Sequence, residues 1–157
     1  MRALIQRVTK AKVTVDRKIT GHIGKGIVAL VGVTHSDTEK DAAWLAEKIA
    51  NLRIFPSDKS LPDRQAGEFD RSLLEVGGEL LAVSQFTLYG STTKGRRPDF
   101  VEAAKPDFAK GIYELFVRKS KEAGLKVAEG VFGTIMEVEL VNNGPVTFWI
   151  ESKNVNV

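Results

Sequence analysis

Ser84, Gln85 and Thr87 place three polar side chains at the end of an otherwise apolar run, ELLAVSQFTLYG. Hydroxyls and backbone N–H groups at a strand end can form a small polar pocket. Such donors can bind a carbonyl oxygen and stabilise the oxyanion that develops during acyl transfer. The plainer reading is a strand that leaves the core for the surface, built from β-favouring Thr87 and Phe86. A few residues on, Lys94-Gly95-Arg96-Arg97 puts three cations in one loop. They form either a solvated loop or a phosphate contact, for which flexible Lys and fork-shaped Arg are suited. Phe132 stands between glycines in GVFG. It is either a core residue or a platform on which an unpaired base stacks. Met136 is most simply a core residue of the strand that follows.

Other chemistries have little to work with. The chain has no cysteine, which excludes disulfides and thiolate metal sites and fits a reducing compartment. Its only histidines, His22 and His35, lack metal-type spacing to a second nitrogen or sulfur ligand. There is no G-x-S-x-G elbow or GxGxxG, and Gly24-Lys25-Gly26 is too short for a phosphate loop. No metal site is expected. A net charge of +3 permits a polyanionic partner without demanding one, and duplex-DNA binders usually carry far stronger bias. The N-terminus lacks the apolar core of a signal peptide, and no apolar stretch approaches a membrane span. A soluble, intracellular protein is expected.

The elements that must position these residues are legible in part. With 157 residues, one domain with a real core is expected over 1–157. Residues 2–15 and 19–24 read as extended, and IVALVGV reads as a strand buried on both faces. The pattern then changes period. Ser36 and Glu39 have capping-box spacing, and Ala42, Leu45, Ile49 and Leu52 share one stripe of a helix at about 38–52. Arg53-Ile54-Phe55 reads as a short strand, and Ser57 to Asp70 as a polar surface loop. A strand is expected at about 79–89, with Gln85 and Thr87 on one face and Ser84 and Phe86 on the other. A second helix follows Pro106, with Phe108, Ile112, Leu115 and Phe116 inward and Gly124 just past its end. Met136, Val138 and Leu140 alternate with glutamates, and Val146, Phe148 and Ile150 alternate beyond Asn142-Asn143-Gly144-Pro145. That tetrapeptide reads as a hairpin turn. The sum is seven to nine strands and two main helices, an α+β fold with a mostly antiparallel or mixed sheet.

Taken in order, MRALIQRV, GVTHSDTEKDAAWLAEKIANLRIF, SLLEVGGELLAVSQFTLYG, TKGRRPDF and FGTIMEVELVNNGPVT resemble the D-aminoacyl-tRNA deacylases, also called D-tyrosyl-tRNA deacylases. The resemblance covers about residues 1–151, and the pair SQFTL and NxGPVT is specific. It implies a barrel-like domain that forms a homodimer in the cytoplasm, with an active site at the subunit interface and no metal or cofactor. The implied reaction hydrolyses the ester between a D-amino acid, or mischarged glycine, and the terminal adenosine of tRNA. Ser84, Gln85, Phe86 and Thr87 would form the catalytic segment. Gly144-Pro145, joined by a cis bond, would enter the partner's pocket near Thr87 and reject L-residues with its carbonyls. Phe132 would stack on the adenine, Met136 would line the pocket, and Arg7 would hold the Gly-Pro segment. Thr87 would act either as a nucleophile or beside an attack by water assisted by the ribose 2′-OH. No adjacent base is evident, which favours the second.

Two departures stand out. Glu68-Phe69-Asp70-Arg71-Ser72-Leu73 replaces the family's K-M-N-x-S-L, and Asn143 stands where aspartate is common. Three other functions fit parts of the pattern. They are a non-catalytic tRNA- or RNA-binding module, a related deacylase acting on mischarged L-alanyl-tRNA, and a dimeric scaffold in which both motifs only pack. Intact SQFTL argues against the L-alanine enzyme.

Overall fold

A computed structural model of the chain describes residues 1–57 and 69–153. Six strands and two main helices follow one another as β1 (Arg2–Val15), β2 (Lys18–Ile23), β3 (Gly26–Gly32), α1 (Glu39–Asn51), β4 (Glu79–Ser84), α2 (Pro106–Glu122), β5 (Lys126–Glu129) and β6 (Glu137–Glu151). The sheet runs β2-β1-β3-β4-β5, with β6 paired along the other edge of β1. β3, β4 and β5 are parallel to one another and the remaining pairs are antiparallel. The expected α+β class with a mixed, barrel-like sheet holds. The sheet curls until β2 meets β5: a Cβ on Gly21 would lie 2.5 Å from the carbonyl oxygen of Glu129.

Alternation along β1 and β3 feeds two cores. Ala3, Ile5, Ile27, Ala29 and Val31 pack beneath the helices with Leu45, Ile49 and Phe116. Val8, Val13, Val28, Leu81 and Val83 fill the inside of the curl. β3 is therefore buried on both faces, as its apolar run predicts. The inward stripe of α2 is Ile112, Leu115 and Phe116, while Phe108 stays exposed.

Several local expectations give way. The capping box of α1 is Thr38 with Asp41, whose carboxylate accepts from the Thr38 N–H at 2.8 Å. The serine at 36 lies two residues too early for that geometry. Arg53–Phe55 makes only an isolated bridge, Phe55 to Arg71. Most of the 57–70 loop, from 58 to 68, lies outside the described residues. Asn142-Asn143-Gly144-Pro145 is not a hairpin turn. β6 continues through it, with Val138 and Leu140 before it, its own Asn142, and Thr147 and Trp149 after it all paired to β1. Six strands replace seven to nine for that reason, and because Arg53–Phe55 makes only a bridge.

Candidate functional site

β4 ends at Ser84, and Phe86–Tyr89 winds into a single 3-10 turn instead of extending the strand. The period-2 facing of Gln85 and Thr87 is thereby overturned. The two residues still act together, because the Gln85 amide donates to the Thr87 hydroxyl oxygen across the turn. Gln85 N–H donates to Val31 O at 2.8 Å, which fixes the start of the turn to β3, and Gly90 N–H donates to Thr87 O at 2.9 Å, which closes the turn on itself. Arg2 secures it from below: its guanidinium donates to Leu88 O at 3.1 Å, lies over the Tyr89 ring and pairs with Glu151. Thr87 and Phe86 are exposed, and Ser84 and Gln85 are half-buried. The N–H groups of Phe86 and Thr87 open the turn, where the first donors lack partners within it.

Phe132 and Met136 come to the same end of the sheet. β5 runs parallel to β4, and Gly130 N–H extends their pairing by donating to Ala82 O at 2.9 Å. The chain then turns at 131–134, so this turn and the Thr87 turn both leave the carboxyl ends of neighbouring parallel strands. Ligand sites in parallel sheets gather at such ends. Phe132 is half-buried, with its ring 5.9 Å from that of Tyr113. Met136 packs against the inner core and lies over Gly130, where a Cβ would be 2.6 Å from its sulfur.

Arg7, Gly144 and Pro145 lie elsewhere. Gln6 pairs with Thr147 and Val8 with Asn142, so residues 143–146 bulge out opposite Arg7 alone. The Gly144-Pro145 bond is cis, and both residues are exposed. Arg7 is 4% exposed and donates to Asn143 O at 3.2 Å and to Ile54 O at 2.6 Å. Asn142, which sequence reasoning left without a role, closes the bulge from its base. Its side chain accepts from Val146 N–H at 3.1 Å and donates to Thr147 Oγ1 at 3.0 Å. Only its position before NGP, where an amide can bond to its own backbone, could have signalled this.

Arg2, which holds the turn, and Arg7, which holds the bulge, are five residues apart on one extended strand. At the usual rise that is about 17 Å. Among the described residues no hydrogen bond joins Thr87 to the bulge. Within one copy the two motifs are thus held at different points along β1. Among the described residues, a cavity of about 380 Å³ lies between the helices, lined by Glu39, Phe108 and Arg118, and neither motif contributes to its lining. Among the described residues no three His, Asp or Glu side chains are placed to hold a metal ion, and no helix is long and apolar enough to cross a membrane.

Known proteins are similar to this chain over nearly its whole length. A D-aminoacyl-tRNA deacylase of Bacillus velezensis is 54% identical over 153 residues, covering 98% of this chain and 99% of the relative. The solved structure of a c-Myc DNA unwinding element binding protein superposes with a TM-score of 0.86 at 38% identity, over 96% of this chain and 98% of that one. That of a probable eukaryotic D-amino acid tRNA deacylase shares the fold, with a TM-score of 0.77 at 18% identity, over 95% and 98% of the two chains. The family model described as D-Tyr-tRNA(Tyr) deacylase matches residues 4–151, a span that includes the Thr87 turn, the Phe132 turn and the Gly144-Pro145 bulge, and the chain belongs to that family.

Proposed function

We propose that the protein hydrolyses the ester linking a D-amino acid, or mischarged glycine, to the terminal adenosine of tRNA, releasing both in the cytoplasm. The observation that carries this reading is the pair of exposed motifs, the SQFTL turn and the Gly144-Pro145 bulge, in a chain of the deacylase family.

The turn supplies positioning and polarisation. Its opening N–H groups, at Phe86 and Thr87, meet the ester carbonyl and stabilise the oxyanion. Thr87 is not the nucleophile in this mechanism. Its hydroxyl is bonded to the Gln85 amide, and an amide in either orientation takes up no proton at neutral pH. Attack comes from water, assisted by the ribose 2′-OH, while Ser84, Gln85 and Thr87 hold the ester in place. Phe132 stacks on the adenine with its exposed part, and Met136 closes the side of the pocket.

The bulge supplies chirality in a homodimer. Gly144 and Pro145 enter the partner's pocket and set their carbonyls against the α-carbon, where an L side chain would clash and a D side chain or glycine would not. The separation of the two motifs within one copy supports this pairing. So does the apolar surface that β6 exposes beside the bulge, with Val141, Phe148 and Trp149.

Incubation with D-tyrosyl-tRNA tests the reading. Release of free D-tyrosine is expected from the wild type, with strong loss in Thr87→Ala. Binding of tRNA with no release would make the protein an RNA-binding module instead. Full activity on a substrate ending in 2′-deoxyadenosine would overturn the 2′-OH assistance.

A further inference from the structure

We propose that Phe86 and Phe100, with the cations of the adjoining loop, form a docking track for the unpaired nucleotides that precede the esterified adenosine of tRNA. This rests on the deacylase reading above and concerns how the same site holds its substrate.

The two rings meet edge to face with centroids 4.9 Å apart, and both stay open to solvent, Phe86 at 57% and Phe100 at 37%. Two aromatic side chains on an exposed surface are poorly explained by the core, which is complete without them. Gly90 makes the arrangement possible, because a Cβ there would lie 2.8 Å from the Phe100 ring. The pair thus sits directly on the turn that carries Thr87.

Beyond it, Ser91 and Asp99 exchange backbone hydrogen bonds at 2.8 and 3.0 Å and close residues 92–98 into a loop. Lys94, Arg96 and Arg97 on that loop are exposed and form no ion pair among the described residues. The following segment is fixed to the end of β3. Thr34 Oγ1 donates to Glu102 O at 2.6 Å, and Ala104 N–H donates to Val33 O at 3.0 Å. A rigid aromatic surface next to unpaired cations is the combination that binds single-stranded nucleic acid: rings stack on bases and cations follow the phosphates. Its place beside the Thr87 turn identifies the strand as the one leading to the ester.

The test compares binding of uncharged tRNA with binding of the same tRNA trimmed of its unpaired 3′ nucleotides, so it does not depend on catalysis. Wild type is expected to prefer the intact tRNA. Phe100→Leu, which keeps an apolar side chain but removes the π face, should reduce that preference about 5- to 150-fold, the worth of one stacked base. Arg96→Gln with Arg97→Gln should lower the salt dependence of binding to the intact tRNA. A wild type that binds both forms equally would overturn the proposal, as would a Phe100→Leu variant that keeps the full preference. Dissociation of a dimer by Phe100→Leu with the preference intact would assign the rings to the subunit interface and overturn it as well. Failure of the deacylase reading would be seen separately, as absent amino-acid release.

Discussion

Replacing Arg7 by methionine probes how β1 holds the bulge. The substitution keeps most of the aliphatic stem and removes the guanidinium that bonds Asn143 O and Ile54 O. Ile54 is 2% exposed, so its carbonyl would lose its partner without gaining water. A buried acceptor left this way costs about 1–3 kcal/mol. Asn143 lies on the exposed bulge, where water replaces the lost donor and the cost is about 1 kcal/mol or less. Relief from burying a charge offsets part of the sum. The net expectation is a loss of about 2 kcal/mol, which in a chain of this size lowers Tm by about 4–8 °C. Arg7→Lys should recover less than half, because one ammonium cannot span two carbonyls as the planar fork does. Urea and thermal unfolding of the three proteins read the stability. Activity on D-tyrosyl-tRNA, measured where all three are folded, reads the bulge. A loss below about 0.5 kcal/mol, the size of an ordinary surface change, would refute the assignment of Arg7 as the strut of the bulge.

The base of the bulge predicts a second effect: Asn142→Ala removes the acceptor for Val146 N–H and should cost about 1–2 kcal/mol in urea unfolding, whereas an unchanged midpoint would mean the bulge stands without it. Gly144 has φ +125°, and a Cβ there would lie 3.0 Å from Val146 N, so Gly144→Ala should cost about 1–3 kcal/mol and reduce D-aminoacyl-tRNA hydrolysis; a neutral result would contradict the strained geometry. Burial pushes the Asp41 carboxyl up, but hydrogen bonds from Lys153, Ser152 and Thr38 outweigh it and hold the group well below the usual carboxylate range. A depressed pKa adds stability that is full above the unfolded value of about 4 and fades as pH falls through the folded value. Wild type should therefore exceed Asp41→Asn in urea midpoint at pH 7, and the two should converge at acid pH; a constant difference would contradict this sign.

What could be read from sequence divides along physical lines. Periodic burial identified β1, β3, α1 and α2, because one repeated contact with the core decides each residue in turn. Turn chemistry misled at two places. Ser84-Gln85-Phe86-Thr87 carries β-favouring residues, yet the turn is set by Gln85 N–H reaching Val31 O and by Arg2 reaching Leu88 O, contacts from distant parts of the chain. Asn142-Asn143-Gly144-Pro145 has hairpin composition, but Arg7 and the ladder on both sides keep the strand running past it. Local residue preferences hold no record of such partners. The SQFTL and NNGPVT motifs were visible as residue types. Their separation along β1 was not, because it depends on which strand each motif leans against.

Hydrolysis of D-tyrosyl-, L-tyrosyl- and glycyl-tRNA under identical conditions tests the central claim most directly. Backbone carbonyls that exclude one configuration at the α-carbon should allow release of D-tyrosine and glycine and leave L-tyrosyl-tRNA intact beyond its spontaneous decay. Release of L-tyrosine at the rate of D-tyrosine would contradict the account.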